Sequence, residues 1–236
     1  MTTPRAFIFD VFGTLVDWRT SVAGTLEDAF TAKGIAADPV EMAVAWRAEY
    51  DPSMAPIREG KRGYTALDIL HRENLETVLR RADLLDRFDE SELTELTTAW
   101  ERLDPWPDTV TGLKELRKVG FIAPCSNGSV GLMVRLARYA GFPWDCILGA
   151  EVGQNYKPHP SVYLASCAAL RLDPSEVMMV ACHNNDLEAA REAGLQTGFF
   201  PRPMEHGDPA KADLKPSQDF DIIAKDVPDL ARQIRG

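Results

Sequence analysis

The chain has 236 residues, 45% hydrophobic and 26% charged, with a formal net charge of −10. That size admits one large domain or a core carrying an insertion. The acidic balance, with no Lys/Arg run longer than two, argues against nucleic acid and anionic membranes as partners, because both need a basic patch. No stretch approaches the roughly 18 apolar residues of a membrane span, and the amino-terminal MTTPRAF lacks the charged-then-apolar pattern of a secretory leader. A cytoplasmic protein acting on a small molecule is the expectation.

The apolar run Ala6 to Phe9 has the length and composition of a strand buried on both faces of a parallel sheet. Asp10 then falls at the strand's carboxyl end, where open α/β sheets bind their ligands. A helical block follows. Thr20 or Ser21 caps a helix with apolar Val22, Leu26, Ala29 and Phe30, closed by Gly34. Asp38, Pro39 and Glu41 read as N-cap, first-turn proline and capping-box partner of a helix through Trp46 and Arg47. A third pattern runs Leu67, Leu70, Leu75, Val78, Leu79, and a fourth runs Leu93, Leu96, Trp100, Leu103. Proline and polar residues mark 103–108 as a linker.

Beyond it, apolar runs alternate with helices: Phe121 to Cys125, a helix ending near Gly141, Val177 to Cys182, Leu187 to Ala193, Thr197 to Phe200 and Phe220 to Ala224. Such alternation means βαβ units and a parallel sheet. The fold class is therefore α/β, a Rossmann-like parallel sheet core (1–16 and 105–236) with an inserted helical cap (17–104). Residues 201–219 form a long polar connection, of the kind that is functional or mobile. Cys125, Cys146, Cys167 and Cys182 show no CxxC spacing and read as core residues in a reducing compartment. His71, His159, His183 and His206 show no metal-ligand spacing, so zinc is not expected.

Four short stretches adjoin core strands: FDVFGTL (Asp10, Phe12, Thr14), CSNGS (Ser126, Asn127), NYKPHPSVY (Lys157, Tyr163) and ACHNNDL (His183, Asp186). Taken in order, with a helical insertion after the first, they resemble the haloacid dehalogenase superfamily, and specifically its L-type 2-haloacid dehalogenases. Asp10 is a carboxylate nucleophile by that resemblance, or a turn cap by a plainer one, and Lys157 is the ammonium that would keep it ionised. Gly13 allows a tight turn and Thr14 offers a hydroxyl. Phe12 stands where the superfamily's phosphatases carry an acid that protonates a departing alkoxide. A halide leaves without a proton, so an aromatic wall suits it; Phe12 as ordinary core is the alternative. Ser126 and Asn127, where Gly128 lets a helix begin, are expected to hold the substrate carboxylate with backbone N–H groups, or simply to cap that helix.

The resemblance further implies that Arg47, beside Trp46, receives the halide and that Tyr163 arranges the site; an exposed face would explain Arg47 equally. Asp186 is expected to direct the attacking water, with Lys157 beside it. The last stretch departs from the family pattern, carrying Ala181 and His183 where serine and asparagine are usual. His183 is then an extra base near neutral pH, a hydrogen-bond substitute for the amide, or a satisfied partly buried histidine. No cofactor and no metal are expected, since His183 is a poor ligand for Mg²⁺. The implied activity is hydrolysis of 2-haloalkanoic acids to 2-hydroxy acids through an aspartyl ester, and homodimers are common in the family. An Mg-dependent phosphatase or phosphonate hydrolase, or a non-catalytic binding protein on the same scaffold, are the alternatives.

Overall fold

The computed structural model describes residues 3–236; Met1 and Thr2, the start of the amino-terminal stretch read above, lie outside the described residues. The chain forms β1 (Ala6–Phe9), β2 (Val16–Asp17), helices α1 (Trp18–Lys33), α2 (Pro39–Ala48), α3 (Tyr50–Arg58), α4 (Leu67–Arg81) and α5 (Glu90–Thr97), then β3 (Asp104–Pro105). It continues through α6 (Thr109–Leu116), β4 (Phe121–Ser126), α7 (Val130–Ala140), β5 (Leu148–Gly149), α8 (Ala150–Gly153) and α9 (Pro160–Leu170). Last come β6 (Val177–Ala181), α10 (Asn184–Glu192), β7 (Gln196–Phe199), β8 (Ile222–Ile223) and α11 (Val227–Arg235).

Six strands build one parallel sheet in the order β5-β4-β1-β6-β7-β8. β1 lies between β4 and β6, with Ala6 opposite both Phe121 and Val177. The order reverses there, so the crevice outside the carboxyl end of β1 is the ligand position of a doubly wound sheet. Alternation along β1 feeds both faces: Phe7 and Phe9 pack in a cluster with Leu113, Leu116 and Leu230, while Ala6 and Ile8 pack with Val162, Cys167 and Leu187. Phe7 and Phe9 are fully buried, and each such side chain contributes about 1.5–3 kcal/mol relative to exposure.

The helices α1 to α5 lie between β2 and β3, which pair antiparallel, Val16 with Pro105 and Asp17 with Asp104. The expected boundaries between core and helical insertion fall inside this ribbon. Trp106 fastens it, giving its backbone N–H to Leu15 O at 3.0 Å and its indole N–H to Gly13 O at 2.8 Å. The linker expectation for 103–108 thus changes, because Asp104 and Pro105 are paired strand.

Local chemistry explains the helix ends. Asp17, not Thr20 or Ser21, caps α1, accepting from Thr20 N at 3.0 Å, and Gly34 ends it with φ of 60°. Asp38 accepts from Val40 N at 2.7 Å and Glu41 N at 3.1 Å, whereas reciprocal capping boxes occur at Asp89 with Glu92 and at Asp173 with Glu176. α3 escapes a proline-based reading because it contains Pro52 and Pro56; Pro52 sits in the first turn, where a missing N–H costs little. The fourth periodic pattern is helical only to Thr97 and tightens to a 3₁₀ turn over Thr98–Glu101. α7 begins at Val130 under a Ser129 cap, so Ser126 and Asn127 precede the helix. β5 has only two residues, too few for an apolar pattern. All four cysteines are free, and among the described residues no helix is long and apolar enough to cross a membrane.

Candidate active site

β1 delivers Asp10 to the crevice, and β6 delivers Cys182 and His183 beside it. Asp10 Oδ1 lies 2.9 Å from Lys157 Nζ, and its Oδ2 accepts from the Thr14 hydroxyl at 2.6 Å. His183 Nδ1 is 3.1 Å from the same Oδ2. Burial opposes ionisation of Asp10, but the Lys157 charge, then His183 and Thr14, overcome it and hold the carboxyl far below the usual carboxylate range. Lys157 Nζ also donates to Asp186 Oδ2 at 2.5 Å. Burial disfavours its charge, yet Asp10 and Asp186 together push its ammonium well above the ordinary lysine value. Two carboxylates around one ammonium is the form in which a buried charge is tolerated.

The remaining oxygen of Asp186, Oδ1, accepts from the Tyr163 hydroxyl at 2.5 Å. Asn127 Oδ1 accepts from the Lys157 backbone N–H at 2.8 Å and thereby fixes the lysine loop. Thr14 Oγ1 accepts from Cys182 N at 3.1 Å, which ties the β1 turn to the end of β6.

His183 caps α10 and turns its other nitrogen to an acid that sequence reading missed. Its Nε2 lies 2.9 Å from Glu205 Oε2 and 3.1 Å from Oε1. Glu205 is 2% exposed. Trp18 Nε1 donates to its Oε1 at 3.3 Å, Cys182 Sγ to its Oε2 at 3.7 Å, and His206 Nε2 stands 3.6 Å from Oε2. Burial works against protonation of His183; Cys182, Glu205 and Asp10 outweigh it, and the imidazole is held well above its ordinary value. Because burial pushes the Cys182 thiol up and keeps it neutral, we assign that hold to the two carboxylates. For Glu205 the opposing pull of burial is overcome by His183, and its carboxyl is lowered.

Glu205 arrives on the long connection after β7, anchored by Arg202. That guanidinium grips Asp108 with two bonds of 2.7 and 2.9 Å and donates to Thr14 O at 2.8 Å. Gly13 makes room for the acid. Its φ is 86°, and a Cβ there would lie 2.1 Å from Glu205 Oε1.

Across the crevice Phe12, from the turn after β1, and Tyr50, from α3, form an aromatic wall on a cavity of about 270 Å³. Phe12 lines it, in edge contact with Trp100 at 5.6 Å and Tyr50 at 6.2 Å. Arg47 lines it too, its guanidinium 4.0 Å from the Tyr50 ring and 5.6 Å from the Trp18 ring. Asp10, Asn127, Lys157, His183 and Asp186 complete the opposite side. Three expected residues lie outside the lining. Ser126 is fully buried, its hydroxyl accepting from Gly128 N at 3.0 Å, and it lies behind the lining residue Asn127. Tyr163 is buried against Asp186 rather than the cavity, and Thr14 against Asp10.

A family model for haloacid dehalogenase-like hydrolases matches residues 4–194. The chain belongs to this family. Among haloacid dehalogenase-like hydrolases, an (S)-2-haloacid dehalogenase of Pseudomonas sp. (strain CBS-3) is 31% identical over 198 residues, covering 82% of each chain. The solved structure of a defluorinating L-2-haloacid dehalogenase matches with a TM-score of 0.97 at 46% identity, over 99% of this chain and 96% of that one. A second L-2-haloacid dehalogenase structure matches with a TM-score of 0.93 at 44% identity, over 98% of this chain and 99% of that one.

The family's phosphatases use Mg²⁺, and the donor set here does not fit that ion. Mg²⁺ demands a near-octahedral shell of oxygens. All four carboxylate oxygens of Asp10 and Asp186 already face Lys157, Thr14, His183 or Tyr163. An ammonium stands between the two acids, and the residue three before Asp186 offers nitrogen.

Proposed function

We propose that the chain is a hydrolytic 2-haloacid dehalogenase that converts small 2-haloalkanoic acids to 2-hydroxy acids and halide. The observation that carries this reading is the pairing of a strongly ionised Asp10 with a Phe12 wall, where a proton-donating acid would otherwise stand. Such a site expels a leaving group that departs as a stable anion. In the first half-reaction an Asp10 oxygen attacks the carbon bearing the halogen; a C–O bond forms, the carbon–halogen bond breaks, and halide leaves with the electron pair toward Arg47. Asn127 and Tyr50, both on the cavity, present polar groups to the substrate carboxylate.

Esterification removes the Asp10 charge, loosening the His183 proton, which passes to solvent. Water then attacks the carbonyl carbon of the Asp10 ester while His183 takes one of its protons, its far nitrogen steadied by Glu205. The tetrahedral intermediate collapses, the alkoxide takes that proton back as product hydroxyl, and the new Asp10 carboxylic acid returns its own proton to His183. This division of labour differs from the sequence expectation for Asp186: with both its oxygens engaged by Lys157 and Tyr163, Asp186 acts as a positioning residue for the lysine. Free cysteines, three of them buried, suit the reducing cytoplasm.

The test is halide release from chloroacetate, bromoacetate and each enantiomer of 2-chloropropionate in metal-free buffer. We expect release that Asp10→Asn lowers by on the order of 10⁴-fold or more, inversion at the substrate carbon, and, in one turnover in oxygen-18 water, label in Asp10. Phosphate release from an aryl phosphate with Mg²⁺, and no halide, overturns the reading.

A further inference from the structure

Cys182, His183 and Glu205 bring a sulfur, an imidazole nitrogen and a carboxylate oxygen within 4.8 Å of one another. His183 Nε2 lies 2.9 Å, and Cys182 Sγ 3.7 Å, from Glu205 Oε2. Zinc bonds of about 2.0–2.3 Å in tetrahedral array separate nitrogen from oxygen by about 3.3 Å and sulfur from oxygen by about 3.5 Å. The two separations to Glu205 thus differ from zinc geometry by less than about half an ångström, and the third, sulfur to nitrogen, lies within the 4.8 Å that spans the group. Their outer supports are in place as well: Trp18 holds Glu205, Thr14 holds the Cys182 backbone, and Gly13 leaves the acid its space. The mixed sulfur, nitrogen and oxygen set suits zinc or cobalt rather than magnesium. His183 keeps a quarter of its side chain exposed, which gives a cation access from the crevice.

We propose that Cys182, His183 and Glu205 form a site for zinc, or a cation of similar softness, that arrests the enzyme after its first half-reaction. Binding releases two protons, one from the thiol and one from the imidazolium, and leaves thiolate, Nε2 and a Glu205 oxygen on the ion with water as fourth ligand. With Nε2 so engaged, His183 retains its Nδ1 proton toward Asp10 and does not accept one from water. Alkylation of Asp10 needs neither group, so the protein stalls as the ester. The site stands on its own geometry; only its effect on turnover rests on the dehalogenase reading.

Two measurements on the full chain test it. In a Co²⁺ titration of metal-free protein we expect a near-ultraviolet thiolate-to-cobalt band that Zn²⁺ displaces and that both Cys182→Ser and Cys182→Ala abolish. In the turnover assay, Zn²⁺ permits about one halide per chain and then stops release, with the ester visible by intact mass. Cys182 touches Glu205 and not the reacting atoms, so each variant's arrest is read against its own metal-free turnover, and we expect both variants to need on the order of 100-fold more Zn²⁺ for the same fractional arrest. A cobalt spectrum that does not depend on Cys182, zinc inhibition unchanged in both variants, or inhibition without the initial burst overturns the proposal. A parent that releases no halide even without zinc sinks the dehalogenase reading instead, and the cobalt band still decides the site.

Discussion

On the strand side of the cavity, Asp10, Lys157, Asp186, His183 and Glu205 answer one another through contacts of 2.5 to 3.1 Å. On the helix side, Arg47 Nε, both ring nitrogens of His71 and Trp100 Nε1 are buried without a hydrogen-bond partner. His71 stacks on Trp100 at 4.5 Å, and burial, then the Arg47 charge, keeps that imidazole neutral. Arg47 is held by the faces of Tyr50 and Trp18 rather than by an acid. The strand side fixes charge by pairing, while the helix side holds a half-buried cation against aromatic faces. A nucleophile needs the first environment and a departing anion the second.

Breaking the strand side should have the larger effect. Glu205→Gln keeps the shape but removes the charge steadying His183, and we expect ester hydrolysis to slow by about 10²–10⁴-fold, with ester accumulating in single-turnover mass spectra. Unchanged turnover would return the water to Asp186. On the helix side, Arg47→Lys keeps a charge but loses the planar group stacked on Tyr50. We expect about 10–100-fold slower halide release without ester accumulation, because the defect falls in the first half-reaction; accumulation in this variant would contradict the contrast.

The smallest effect is on stability. The His183 value lies above its ordinary 6.5, so its contribution is complete below that pH and is lost as pH rises through the folded value. Asp10 behaves oppositely, contributing above its ordinary 3.8 and failing only as pH falls through its lowered folded value. The Tm difference between parent and His183→Asn should thus be greatest near pH 6 and shrink in alkali; a flat difference would mean that His183 is neutral in the fold.

The strand side was largely legible in the sequence: Asp10 falls at a strand end, while Lys157 and Asp186 stood out through the resemblance carried by the four ordered stretches. His183 was visible as an anomaly, but its role was not, since its meaning depends on what faces Nε2. Glu205 lies 22 residues further along, in a polar connection without periodicity, and its one signal was that connection's unusual length. The helix side was legible as helices but not as a wall. α3, which carries Tyr50, Asp51 and Met54 to the cavity, was hidden by its prolines. Ser126 was legible as a residue after a strand, but not that its hydroxyl accepts from Gly128 N within its own turn.

Gly13 ties positions 13 and 205 into one volume. Any side chain at 13 would occupy the space of the Glu205 carboxylate, so the two positions are free to vary only in concert. A relative with a larger residue at 13 needs its acid at 205 shifted or replaced. Glycine at 13 is necessary for this arrangement without being sufficient for it, and the pair together, read across an alignment, would sort chains by hydrolytic strategy where neither position would alone.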